Sequence, residues 1–384
     1  MSPKVTLLWL DRLAALTVKE LRQVSRDPTL LLVILYFFTA DIYIAGSGIR
    51  MDLNHAAIVV MDHDKSAASR ELIYRFRPPY FSLRGEVAGD SQAMRLLDQG
   101  KTLMILDIPP HFQRRLRKGE PVDVQLQVDA ANATLGTLAS SYAGQIVSRF
   151  GTDFALRQLG MGDAEMEAVP MIEDRHRVFY NPNQVDAWFM SISELLTVIT
   201  MLSLMLPAAV AVREKERGTI EQLAVSPLSS FQILFSKILS MGAIILLGTM
   251  VSLYFIIEPA FHVPIRGSAG LFFAVTALYV FATSGLGLFI STLSRNLGQV
   301  VMLVILIMMP LLLLSGAWTP PEAMPAGLRQ AMHVSPLYYY IEMSYGILLK
   351  GAGLEILWDS LLGLTVLGGL VFGFGVWRFR RQFG

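Results

Sequence analysis

The sequence predicts an α-helical membrane protein: six transmembrane helices, a re-entrant hairpin before the last of them, and an extracytoplasmic α/β domain inserted after the first. Three observations lead there. Hydrophobic residues make up 53% of the 384 and charged ones only 16%, whereas soluble domains carry about 25% charge. Apolar runs close to the roughly 20 residues needed to cross hydrocarbon recur along the chain. A single long polar block interrupts them after the first run. The mean hydropathy of +0.49 agrees.

Residues 1–28 read as a cytoplasmic amphipathic helix lying in the membrane interface. In "LLWLDRLAALTVKELRQV", Leu10, Leu13, Leu16 or Thr17, Leu21 and Val24 share one face, and Asp11, Arg12, Lys19, Arg22 and Gln23 lie largely on the other. A helix packed on a protein partner is the alternative, because amphipathicity does not name what covers the apolar face. The first span is 29–49, "TLLLVILYFFTADIYIAGSGI". It is too long and too far from Met1 for a cleavable signal segment.

Residues 50–187 alternate strand and helix patterns. Ala56 to Asp62 and Thr102 to Ile108 look like buried strands, Val122 to Asp129 alternates with period two, and helical patterns occupy Ala67 to Phe76, Ser91 to Gln99 and Thr134 to Leu159. Two apparent motifs are set aside. Gly100-Lys101-Thr102 resembles the end of a phosphate-binding loop, but that loop needs a glycine where Arg95 stands, so it reads as a turn into a strand. Asp62, His63 and Asp64 are potential metal ligands, yet neighbours on a strand end point in alternating directions, and a solvated turn is preferred.

Residues 188–384 hold five further runs: Trp188 to Val212, Ile238 to Ile257, Ala269 to Ser291, Leu297 to Leu314 and Ile356 to Trp377. Between the first two lies the charged loop 213–237, far longer than the two to six residues or so that a plain connection needs; its length suggests a docking element, and charges that only enforce topology are the alternative. Residues 315–355 carry Pro320, Pro321, Pro325 and Pro336, too many for a spanning helix. A hairpin dipping in from outside fits, since irregular backbone at membrane depth must be buried in protein or line a cavity. Trp318, Tyr338, Tyr339 and Tyr340 then fall at the outer interface, where aromatic rings concentrate, and are candidates for an exit gate.

Short flanking segments rich in Lys and Arg set orientation. Lys19, Arg22 and Arg26, then Arg213, Lys215, Arg217 and Lys237, then Arg295, then Arg378, Arg380 and Arg381 all fall on one side. Both termini are therefore placed in the cytoplasm and 50–187 outside. Asp41 and Glu194 are acidic residues within spans, a placement costing about 2.5–3.5 kcal/mol on insertion scales. With Met201 and Met205 they form a candidate substrate path; a helix-to-helix contact for the acids and ordinary packing for the thioethers are the alternatives. The net charge of +1 argues against a nucleic-acid partner. With no cysteine, thiolate catalysis and Cys-ligated metals are excluded.

Three stretches resemble ABC-2-type transporter permeases of the drug-exporter branch: "EKERGTIEQLAVSPLSSFQILFSKIL" (214–239), "IPPHFQRRLRKGEPVDVQLQVDAAN" (108–132) and "LLSGAWTPPEAMPAGLRQAMHVSPLYYYIEMSYGILLKGAG" (313–353). The resemblance covers nearly the whole chain. It implies a permease subunit in the bacterial inner membrane that exports amphiphilic or drug-like substrates. Glu214, Glu216, Arg217, Gly218, Thr219, Glu221 and Gln222 would form the coupling helix received by a separate cytoplasmic ABC ATPase. In that reading Gly218 is the small residue that admits close approach to the ATPase cleft. The chain itself would bind no cofactor and catalyse nothing; MgATP would sit on the partner. A second permease copy or paralogue, membrane lipid and a periplasmic adaptor are the other implied partners. A lipid or polymer exporter of the same architecture, and a membrane-anchored scaffold or sensor acting through its outer domain, are the competing readings.

Overall fold

The computed structural model describes residues 3–48, 53–131, 133–160, 179–218, 230–317, 319 and 321–383. It forms two compact units, one made of Met1–Ile49 with Arg177–Gly384 and the other of Arg50–His176. Helix α1 (Pro3–Ser25) stops just before Asp27-Pro28, because the residue ahead of a proline is pushed out of helical space. Asp27 then caps α2 (Pro28–Tyr36), accepting the Leu30 N–H at 3.0 Å, with Pro28 at the first helical position. A π turn, Phe37–Asp41, separates α2 from α3 (Ile42–Gly48), so the first span is a helix with a widened turn rather than a regular rod.

In the second unit, β1 (Ala56–Asp62) and β3 (Met104–Ile108) coincide with the expected buried strands. The order is β2-β1-β3-β4, with β2 (Phe81–Glu86) and β3 parallel to β1, and β4 (Gln125–Val128) antiparallel to β3. Because side chains alternate faces along a strand, Ile58, Val60, Met104 and Leu106 build one core with α4 (Ala67–Arg75) and α7 (Ala133–Gln158), while Val59, Met61 and Ile105 build a smaller one with α5 (Asp90–Asp98). Between β3 and β4 lies α6 (Phe112–Arg117), whose Phe112 fills the larger core. Asp62 organises the turn after β1, accepting the Asp64 and Lys65 N–H groups and the Ser69 hydroxyl. Gly100, at φ +64°, makes the turn leading into β3.

The helical unit continues with α8 (Asp186–Glu216), α9 (Ser230–Val251), α10 (Ala269–Leu293), α11 (Leu297–Leu313), α12 (Pro336–Tyr345) and α13 (Leu354–Phe383). Among the described residues, five helical segments are long and apolar enough to cross a membrane; α11, at 17 residues, is shorter, about 25 Å of helix. The apolar stretch of α8 is 83% buried whereas those of α2–α3 and α13 are 22% buried. Helix α8 is therefore the central post. The outer helices expose Leu32, Leu35, Leu306, Leu362 and Leu370, an apolar belt too extensive for a soluble surface. Between α11 and α13 the described residues form only short helical pieces. Short turns at Pro321–Ala323 and Ala326–Ala331 precede α12, and a π turn at Gly346–Lys350 ends at Gly351, φ +73°. The prolines dictate these breaks: Pro325 caps a short helix and Pro336 opens α12.

Candidate functional site

At one end of the helical unit the tail of α1, the last turn of α8, the first turns of α9 and the end of α10 converge. The Lys237 Nζ, on α9, donates to Glu20 Oε1 of α1 at 3.0 Å and to Glu214 Oε1 of α8 at 2.5 Å. All three side chains are buried, and the half-exposed Lys19 ammonium lies 3.3 Å from Glu20 and 4.0 Å from Glu214. Removing charges from water costs several kcal/mol per ion unless they are paired in good geometry. Two carboxylates against two ammonium groups meet that condition, although Glu20 Oε2 keeps no hydrogen-bond partner among the described residues. The amphipathic face of α1 is thus covered partly by protein: Leu13 and Val24 are buried around Glu20, while Leu10 and Val18 stay exposed.

Arg213 donates to Asp27 Oδ2 at 2.6 Å, tying the α1–α2 elbow to α8. The Asp27 carboxyl is held below its ordinary 3.8 first by the Leu30 N–H and then by the Arg213 guanidinium. A depressed carboxylate pKa gives stability that is present above the unfolded value and lost as pH falls through the folded one. This contribution therefore disappears below 3.8. Asp27→Asn should keep the cap and lose only the partly exposed ion pair, less than about 1 kcal/mol; Asp27→Ala should lose about 1 kcal/mol more. Thermal midpoints of both variants at neutral and acid pH test this, and a wild-type acid response surviving in Asp27→Asn would rule it out. Beside this pair, Lys215 Nζ donates to the Ser291 and Ser294 carbonyls at 2.5 and 3.2 Å, satisfying acceptors that the end of α10 leaves open.

These contacts place four of the expected coupling residues. Helix α8 runs one turn beyond the expected Val212, so Glu214 points inward to Lys237, while Glu216, Arg217 and Gly218 form its exposed end. Gly218 sits at φ +66° with open space around it. The left-handed backbone that closes the helix favours glycine there. Thr219, Glu221 and Gln222 lie outside the described residues. Glu214 and Lys237, one on each flank of residues 219–229, are joined directly. Sequence reasoning missed Glu20, whose signal was available: it falls on the line Leu13, Thr17, Glu20, Val24, a carboxylate inside an apolar stripe.

Comparison with known proteins accounts for this architecture. The profile described as ABC-2 family transporter protein matches residues 28–378. The chain belongs to the ABC-2 transporter family. It is 34% identical to the inner membrane transport permease YhhJ of Escherichia coli K12, covering 96% of this chain and 97% of that one. It is 29% identical to the probable multidrug ABC transporter permease YbhR of the same strain, covering 97% and 99%. ABC transporter G family member 20 of Dictyostelium discoideum is 27% identical over 73% of this chain and 38% of its own length.

In this ABC-2 permease the two acids within the spans lie on neighbouring elements. Asp41 is on the π turn and Glu194 on α8, and the two elements pack against one another; π turns of this kind often mark functional positions. Met201 and Met205 continue the same stripe of α8, seven and eleven residues on, but pack against a buried apolar cluster that includes Leu204 of α8, Ile290 of α10 and Val304 of α11. Of the gate candidates, Trp318 lies outside the described residues. Tyr338 and Tyr339 are half-buried, and the Tyr339 hydroxyl donates to the His333 carbonyl at 3.1 Å. Tyr340 departs from the expected interfacial placement: it is fully buried, stacked 4.0 Å from Tyr279 of α10 and bonded to Thr276 at 3.0 Å. A tyrosine can be buried when its hydroxyl finds a partner, and Thr276 supplies it. Tyr279 in turn bonds to Thr200 of α8 at 2.9 Å, so a polar and aromatic rung links α8, α10 and α12.

Proposed function

We propose that this permease is the membrane subunit of an ATP-driven exporter of amphiphilic, drug-like molecules in a bacterial inner membrane, powered by a separate cytoplasmic ABC ATPase. The observation that carries the reading is the family match across residues 28–378, which takes in the spans and the polar unit alike. The word "multidrug" in the printed name of the relative YbhR favours drug-like substrates. In this reading α11 completes a set of six spans, residues 315–355 form a re-entrant hairpin, and both termini with the 219–229 segment face the cytoplasm. Residues 50–187 then lie outside, where a periplasmic adaptor would reach them. A second permease copy completes the pathway. MgATP stays on the partner.

Residues 214–222 act as the coupling element, and the buried charge cluster around Glu214 and Lys237 is the transmission. A push on a segment anchored through Glu214 and Lys237 reaches α8, α9 and α1 together, because all three meet at one buried charge cluster. Rigid elements joined this way move as a body. Farther along α8, Glu194 with Asp41 beside it and the Met201 and Met205 stripe lie where such movement would open a path.

The test is made on the chain reconstituted with its ATPase. The isolated chain should hydrolyse no ATP, and the complex should couple hydrolysis to substrate efflux. Glu221→Lys, which reverses an interfacial charge that sets register, should uncouple the two while leaving insertion intact. Wild-type coupling in that variant would reduce the charged segment to a topology signal.

A further inference from the structure

We propose that a basic cleft at the α1–α2 elbow is a binding site for the phosphate headgroup of an anionic phospholipid. The cleft has a volume of about 700 Å³ and gathers Lys19, Arg22 and Arg26 from the α1 side with Arg213 and Arg217 from the end of α8, around the single carboxylate Asp27. Asp27 is already occupied by Arg213 at 2.6 Å, and Lys19 stands 3.3 Å from Glu20. Among the described residues, Arg22, Arg26 and Arg217 have no carboxylate within 4.0 Å. Three exposed guanidiniums around one cleft repel one another, and a bound anion removes that cost. Guanidinium forks match phosphate oxygens in pairs.

The surroundings choose a lipid over a free anion. The floor of the cleft is Pro28, the first residue of the first span, and the next turns of α2 present Leu31, Leu32 and Leu35 outward, with exposures of 41%, 68% and 61%. A ligand that is anionic at one end and hydrocarbon below it satisfies both surfaces, whereas inorganic phosphate satisfies only the upper one. Basic pockets at the polar ends of spans hold anionic headgroups through this combination. The site joins three elements, α1, α2 and α8, next to the Glu20, Lys237 and Glu214 cluster. An occupied cleft would therefore brace the elbow. The inference needs neither ATP nor a transported substrate, so its failure would leave the export reading untouched.

The experiment uses the purified full chain with three additives: phosphatidylglycerol, phosphatidylcholine and inorganic phosphate. Its thermal midpoint is expected to rise with phosphatidylglycerol alone, and native mass spectrometry should find that lipid retained. In an Arg22→Gln, Arg26→Gln, Arg217→Gln variant, retention should weaken by about fivefold for each cation removed. An equal response to phosphatidylcholine or to inorganic phosphate, both measured on the wild-type chain, would overturn the proposal whether or not the variant folds. So would a variant that keeps its phosphatidylglycerol response but no longer binds the ATPase, since the cleft would then be a protein-docking surface.

Discussion

Lys237→Met is expected to destabilise the helical unit by about 3–5 kcal/mol, the cost of leaving buried charge without its partner. Lys237 is 2% exposed and is the buried cation of the cluster, with Glu20 and Glu214 on either side of it and the half-exposed Lys19 at its edge. Methionine fills nearly the same volume, so lost packing adds little and the loss reports on the two stranded carboxylates. Adding Glu20→Gln and Glu214→Gln should recover most of the stability, because a buried ion cluster replaced by neutral groups of similar shape is often no less stable. Unfolding midpoints of the wild type, the single variant and the triple variant in one detergent decide the matter. A single variant within about 1 kcal/mol of wild type would mean that the cluster is hydrated like a surface pair. Under the proposed mechanism the rescued triple variant should still transmit poorly, since neutral hydrogen bonds hold the base of the 219–229 segment less firmly than charged ones.

The contrast between what the sequence revealed and what it concealed follows from the range of the interactions. Strand β1 was legible as "AAIVVMD" because a central parallel strand is buried on both faces and must read as an apolar run. Strand β2, "FSLRGE", was not: it is an edge strand that exposes Leu83 and shifts register near Gly85, so its pattern is half polar. Five spans were legible from length and composition, and the sixth expected run is a shorter apolar helix, Leu297–Leu313. The π turn at Phe37–Asp41 was hidden, because "FFTAD" continues an ordinary helical pattern and only packing on α8 and α9 widens it. Glu214 was legible as part of a charged segment, but its inward direction depends on Lys237, 23 residues away, and on Glu20, 194 residues away. Tyr340 was assigned to an aromatic belt on composition. Its partners Thr276 and Tyr279 lie more than 60 positions earlier in the chain, beyond the reach of any local rule.

The second large effect is expected at Gly375 in α13. Helices α10 and α13 approach so closely there that a Cβ on Gly375 would overlap the carbonyl of Gly285, and a Cβ on Gly285 would overlap the backbone of Phe372. Helix association in lipid has no hydrophobic drive and depends on such contact between small residues. The obstructing atoms are backbone, which cannot rotate away. Gly375→Leu must therefore push the two helices apart along their whole interface, where overpacking of even a side-chain core costs about 1–3 kcal/mol. Gly373, two residues earlier on the same helix, is exposed and would meet nothing within 4 Å. Gly373→Leu introduces the same side chain with the same gain in helix propensity, and should leave folding and yield near wild type. Expression level and thermal midpoint of the two variants, compared side by side, separate the explanations. If both are tolerated, α10 and α13 are not locked at this glycine contact; if both fail, the added bulk disturbs the helix for a reason other than the α10 interface.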